Sequence, residues 1–302
     1  MARTRARRVL STALLGVASV LAAGASAADY PARPIRYVVA FAPGAINDIV
    51  ARIVGQKLNE VWGQPVIVDN RANVSSAHTI AQSLYPRLGY SLERDLTPVV
   101  VFASSPLIMT IHPGIPARNV AELVAWAKKN RMVYASGGVG VISHLSMELF
   151  KQAAGIDATH VPYKGGGPGA IDVAAGHVHL MTNTIPTLLP FVKAGKLRVL
   201  GIMAEKRHRL MPDVPTFIEQ KYRDFVMGNW MGIVAPTGTP RPIVNKLAAE
   251  VTRIVRSPDV GERFSREGLD VLGGTPEEFG RLIRSEIERF GKAVKASGAK
   301  VD

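Results

Sequence analysis

Short β-branched and aromatic runs alternate along the chain with stretches in which apolar residues recur every three or four positions. Residues 35–41 (IRYVVAF) read as a strand, and residues 47–61 place Ile49, Ile53, Val54, Leu58 and Val61 on one helical face. The same pattern predicts strands at 65–68, 97–102, 106–111, 132–135, 160–163, 177–181, 197–203 and 231–235. Helices are expected at 120–130, 143–154, 170–175, 240–255 and 276–296. Alternation of this kind predicts an α/β fold with parallel-rich sheets and helices on both faces. No solenoid-length period and no low-complexity tract interrupts it.

One unit recurs three times, at 42–48, 136–144 and 164–170: a strand, a Gly-containing turn and the start of a helix. A helix N-terminus offers unpaired N–H donors and the positive end of its dipole, and glycine lets a ligand approach that backbone closely. Three such turns predict a site for a carboxylate or phosphate built without a cationic clamp. Asp48 in the first turn serves either as a cap, worth about 1 kcal/mol, or as an acceptor for a ligand hydroxyl or amine. The second turn, Ser136-Gly137-Gly138-Val139-Gly140, lacks the third glycine and the downstream acid of a dinucleotide fingerprint. Ser136, Ser143 and His144 could form a Ser/His pair, but no GxSxG elbow occurs, so no catalytic residue is assigned. His177 and His179 fall two apart on an expected strand, without a third ligand nearby, and no metal site is assigned. The basic run Lys206-Arg207-His208-Arg209 reads as a solvated loop or a partner-docking patch.

The first 27 residues stand apart from this pattern. Arg3, Arg5, Arg7 and Arg8 precede an apolar stretch from 9 to 23, and Ala25-Ser26-Ala27 supplies small residues for cleavage. These are the parts of an export signal, cleaved after Ala27, and they predict a periplasmic destination. Loss of the signal's four arginines lowers the formal charge from +13 to +9. The remaining cations are mixed with acids on amphipathic helices, and aromatics make up 6% of the chain, so no nucleic-acid partner is expected. The chain has no cysteine, which excludes disulfides and thiolate chemistry. No cofactor is expected.

Several segments taken in order resemble one family. They are Tyr30-Pro31-Ala32-Arg33-Pro34-Ile35, the turn from Phe41 to Asp48, Gly63-Gln64-Pro65-Val66 with Asn70-Arg71, and Tyr134-Ala135-Ser136-Gly137 through Ser143-His144-Leu145. His160-Val161-Pro162-Tyr163-Lys164-Gly165, Leu180-Met181 with Asn183, Lys193-Ala194-Gly195-Lys196-Leu197-Arg198, and the runs LMPDVPT (210–216), APTGTP (235–240) and TPEEF (275–279) complete the set. Together they are similar to the Bug-type extracytoplasmic solute receptors of tripartite tricarboxylate transporters. The resemblance implies a two-lobed type II periplasmic binding protein. Lobe one would comprise 28–101 and 233–302, and lobe two 102–232. It further implies a monomeric, non-enzymatic receptor that closes on a small carboxylate and delivers it to membrane permease subunits. Ligand-binding positions carried over are Phe41, Ala42, Gly44, Asp48, Ser75, Ser76, Ser136, Gly137, His144, Tyr163, Gly165 and Asn183.

Two departures stand out. Ala45, Ile46 and Asn47 replace the family's Gly-rich, hydroxyl-bearing residues before Asp48. After Asn70-Arg71 the chain passes almost directly into Val74-Ser75-Ser76-Ala77-His78, so lobe one is expected to lack one helix and one strand. A parallel crossover needs about 30 residues. The alternatives to a working receptor are therefore a degenerate paralogue with impaired binding, or a solute sensor that feeds a membrane signalling partner.

Overall fold

The computed structural model describes residues 30–38, 46–69, 74–85 and 87–298. It begins with a parallel pair, β1 (Ile35–Val38) and β2 (Val66–Asp69), connected through α1 (Ile46–Trp62). Val50, Val54 and Leu58 bury one face of α1. At Gly55 the helix comes close to the pair, since an added Cβ would lie 3.2 Å from Val66 Cγ1.

The chain continues through β3 (Val74–Ser75), α2 (Ser76–Leu84), the 16-residue β4 (Leu96–Ile111), α3 (Val120–Ala127), β5 (Val133–Ser136) and α4 (Ile142–Ala154). Next come β6 (Thr159–Pro162), α5 (Gly166–Ala175), β7 (Leu180–Thr184), α6 (Ile185–Lys193) and β8 (Arg198–Ile202). The last elements are β9 (Gly228–Pro236), α7 (Arg241–Val255), α8 (Pro258–Arg266), β10 (Asp270–Val271) and α9 (Pro276–Ser297). Gly155 and Gly176 end α4 and α5 in the left-handed conformation, which a side chain would resist. Thr275 and Glu278 cap α9 reciprocally.

Strands β3-β9-β4-β7-β5-β6 form one sheet in that order, and β8 and β10 also pair with β4. The first part of β4, from Leu96 to Pro106, runs antiparallel to β9; the rest, from Leu107 to Ile111, pairs with β7 and β8. Strand β5 is parallel to both β6 and β7. One apolar core joins α1, β4, β9, α7 and α8 through Val54, Phe102, Val244 and Phe264. Another joins α5, β7 and α6 through Val173, Met181 and Leu188. The largest surrounds Tyr134, Phe150 and Phe217, and receives Ile80 and Leu84 from α2 and Phe290 from α9.

The structure corrects several sequence expectations. Residues 97–102 and 106–111 belong to one strand, because Gly228 lets β9 follow β4 past Pro106; an added Cβ there would lie 2.8 Å from Ser105 O. Helices α6 and α8 stand where the apolar pattern predicts none. Pro186 and Pro258 sit in the first turn, where a missing N–H costs nothing. His177 and His179 precede β7 instead of lying on it. His177 approaches Asp172, and His179 accepts from Val133 N at 2.9 Å and packs edge-on to Trp126. Among the described residues β1 and β2 pair only with each other, β3 has two residues, and Ile67 of β2 is 55% exposed.

Candidate functional site

Strand β5 leaves through α4 toward β6 on one side, while β7, on its other side, leaves through α6 toward β8 beside β4. Where neighbouring parallel strands depart in opposite directions, a crevice opens at their C-terminal ends. Ser136 and Gly137 stand at the end of β5, and Asn183 and Thr184 at the end of β7. Tyr163 to Gly165, following β6, adjoin the first pair: Tyr163 N donates to Ser136 O and Gly165 N to Gly137 O, both at 3.0 Å. The second and third glycine turns are thus locked together, and a Cβ on Gly137 would lie 3.3 Å from Gly166 N.

The two turns differ in what they offer a ligand. In the second, Gly137 N donates to Ser143 Oγ (3.0 Å), Gly138 N to Ser136 Oγ (3.1 Å) and Gly140 N to His144 Nδ1 (3.0 Å). Three of its N–H groups are taken by its own side chains, although α4 itself starts after Val141 without a side-chain cap. In the third, α5 starts after Gly165 (φ 113) with no side-chain cap, and Gly165 and Gly167 are exposed. The carboxamide of Asn183 lies over this helix start. Its Oδ1 accepts from Thr184 N at 2.8 Å, and its Nδ2 would stand 2.3 Å from a Cβ on Gly166. An uncapped, glycine-lined N-terminus beside a side-chain amide is suited to an anionic oxygen.

Behind Ser136 lies a group of titratable side chains. Ser136 Oγ is 2.6 Å from His160 Nε2, and the His160 ring stacks on His144 (4.1 Å between centroids) and on Tyr134 (4.8 Å). Tyr134 donates its hydroxyl to Glu148, which is held by Lys151 at 3.0 Å. Burial, then the neighbouring His144, pulls His160 down to about 4, and burial also lowers His144. Both rings are neutral near pH 7. On the exposed side, Tyr163 donates to Asp172 at 2.6 Å. Partial burial first, and that bond second, push the Tyr163 phenol up to about 12.

The remaining expected residues divide. Ser75 is fully buried and caps α2, accepting from Ala77 N, with His78 Nδ1 closing the box. Ser76 hydrogen-bonds Asn229 of β9, which faces Ser105 of β4, whose hydroxyl accepts from Ile185 N at the start of α6. A polar row therefore runs across the sheet from Ser76 toward the crevice. Asp48 is buried and its carboxylate is engaged by Arg52 one helical turn later, at 3.0 Å. Phe41, Ala42 and Gly44 lie outside the described residues. The Ser136/His144 pair entertained from the sequence does not form: His160 takes that place, and His144 serves Gly140. His160 carried a weak signal, being an expected strand residue next to the Tyr163 turn; Asn229 carried none, since its partner is 153 positions away. The basic run 206–209 is not wholly solvated. Arg207 pairs with Glu219, and Arg209 binds Asp270 (2.7 Å) and Leu269 O (2.7 Å) beside the buried His208. Among the described residues no cluster has the make-up of a metal site, and no helix is long and apolar enough to cross a membrane.

A profile described as the tripartite tricarboxylate transporter family receptor (TctC) matches residues 72–299. The protein BugT of Bordetella pertussis is 31% identical over 307 positions, covering 93% of this chain and 94% of its own. That alignment is longer than the 302-residue chain itself, so BugT carries residues opposite gaps here. An R. palustris protein solved with adipate superposes with a TM-score of 0.83 at 30% identity, over 90% of this chain and 99% of that one. MatC from Rhodopseudomonas palustris with bound malate gives a TM-score of 0.77 at 29% identity, over 88% and 100%.

Proposed function

Because the chain belongs to the TctC family of solute receptors, we propose that it is exported, cleaved after Ala27, and captures a small dicarboxylate in the periplasm for a tripartite uptake system. The observation that carries this reading is the open N-terminus of α5 with Asn183 over it, at the crevice between β5 and β7. Two structural relatives named with adipate and malate support a dicarboxylate over other anions. Backbone N–H groups and a neutral amide bind such a ligand with little desolvation of protein charge.

The working division is into two lobes, 28–101 with 233–302 and 102–232, joined where β4 and β9 run together. One carboxylate would meet Gly165, the Gly166 N–H and Asn183. The other would lie toward Ser76 and the first turn, with Phe41, Ala42, Gly44 and Asp48. Ser75, Ser136, Gly137, His144 and Tyr163 would hold the binding backbone in place. Closure of the lobes would then seal the ligand from water.

Thermal melting of the chain from Ala28 onward, against malate, adipate, succinate and citrate, tests this function. Ligand at 100 times its dissociation constant adds about 2.7 kcal/mol. A shift with at least one dicarboxylate is expected, and its absence with all of them contradicts the reading. A second reading, a paralogue with impaired binding, is favoured by one observation: the β1–β2 pair stands apart from the main sheet among the described residues. Under that reading the chain melts unshifted, and insertion of a helix and strand after Arg71 restores the response.

A further inference from the structure

We infer that His160 is a positioning residue of the ligand crevice, acting as the hydrogen-bond acceptor that fixes the Ser136 hydroxyl and, through it, the two locked glycine turns. This rests on the proposed receptor function for its binding consequence, but its hydrogen-bond consequence stands without any ligand.

The geometry leaves the Ser136 hydroxyl two destinations. Its oxygen lies 2.6 Å from His160 Nε2 and 2.9 Å from Gly138 O, and it already accepts from Gly138 N at 3.1 Å. A hydroxyl has one proton to give. When His160 is neutral with its proton on Nδ1, Nε2 takes that proton, and Gly138 N supplies the oxygen's accepted bond. When His160 is protonated, Nε2 donates to the same oxygen and the hydroxyl turns to Gly138 O, so the turn from 136 to 138 stays held. Ser136 is fully buried, so it has no water to fall back on.

This turn underlies the crevice. Ser136 O and Gly137 O accept from Tyr163 N and Gly165 N, which sets the start of α5. The groups facing His160 are Tyr134 on β5 and His144, Glu148 and Lys151 on α4. His144 and Lys151 oppose a charge on His160, and Glu148, already bound by Tyr134 and Lys151, favours it only in part. A dicarboxylate arriving at the start of α5 adds negative charge across the turn and raises the proton affinity of His160. By reciprocity the protonated form binds that ligand more tightly. Affinity is therefore expected to rise as pH falls toward 4, where the free His160 takes up its proton.

The test uses the mature chain and two readouts. Nitrogen-15 NMR of the imidazoles at pH 7.5, without ligand, is expected to show His160 with its proton on Nδ1, and Ser136→Ala is expected to change that resonance. A His160 protonated at Nε2 overturns the assignment. Malate titrations of the wild type, His160→Gln and His160→Ala across pH 7.5 to 4 give the second readout. His160→Gln, whose amide can still bond Ser136, is expected to keep wild-type affinity at pH 7.5 and to lose the extra pH slope; malate's own titration is common to both proteins. His160→Ala is expected to weaken binding roughly tenfold at every pH, the effect of losing one buried hydrogen bond as the Ser136 hydroxyl falls back on Gly138 O. Equal slopes in the wild type and His160→Gln, or full affinity in His160→Ala, overturn the proposal. If the wild type binds neither malate nor adipate, the receptor function fails, and the NMR result still decides the role of His160.

Discussion

Gly166→Ala tests the third turn at its tightest point. The new Cβ would lie 2.3 Å from Asn183 Nδ2 and 3.2 Å from Asn183 Cγ, with Thr187 Cγ2 at 3.0 Å. The backbone around Gly166 is helical, so the carboxamide has to leave, breaking its bond from Thr184 N. That loss costs about 1 kcal/mol. Replacing a helical glycine with alanine returns roughly 0.5–1 kcal/mol. The two nearly cancel, and the thermal midpoint of the ligand-free chain is expected to move by no more than about 4 °C. Binding has no such compensation. The ligand loses the Asn183 amide and meets a methyl group at the helix start, costing about 1–3 kcal/mol, or roughly 5- to 150-fold in affinity. Calorimetric titration with malate or adipate, beside melting of the free protein, reads both quantities. In an Asn183→Ala background most of the Gly166→Ala effect is expected to vanish, because the two changes remove the same group. Unchanged affinity in Gly166→Ala, or full additivity with Asn183→Ala, refutes the placement of the ligand at this turn.

Other expectations follow from separate parts of the structure. Gly232→Ala would set a Cβ 2.2 Å from Phe279 Cζ in the core, and is expected to destabilise the chain by about 1–3 kcal/mol, read as a lower denaturant midpoint. His144 and His160 have folded-state proton affinities below their unfolded values. The unfolded chain then binds more protons between about pH 6.5 and 4, so the ligand-free thermal midpoint is expected to fall as pH drops through that window; a flat or rising profile contradicts the buried, neutral stack. Arg209→Ala removes bonds to Asp270 and Leu269 O, and faster amide exchange is expected at 265–271, with no change at α3. Mass spectrometry of the exported chain is expected to find Ala28 at its N-terminus.

Much of the architecture is legible in the sequence because two periods, two and 3.6, are written plainly in residues such as those of β5, α4 and α9. Helices α6 and α8 carry Pro186, Pro190 and Pro258, and their apolar spacing alone does not predict a helix at either place. Continuity of β4 through Pro106 depends on Gly228, more than a hundred residues later. The same limit applies to the site. The glycine turns around Gly137 and Gly165 could be found from local patterns, whereas Asn183 came only from the family resemblance; the structure brings the two turns and Asn183 together. Which turn keeps its donors could not be read, because it depends on whether Ser143 and His144 fold back onto Gly137 and Gly140. The partnership of Asp48 with Arg52 was within reach, since an acid and an arginine four apart on a helix face each other.

On the proposed function, an uncapped helix start and a neutral amide capture a dicarboxylate. Isothermal titration of the chain from Ala28 onward with malate or adipate, each set against its diamide, tests it most directly. Saturable one-site binding of at least one dianion is expected, with at least tenfold weaker binding of the matching diamide and loss of the difference in Asn183→Ala. Equal binding of diamide and dianion, or no binding heat for either dianion, would contradict it.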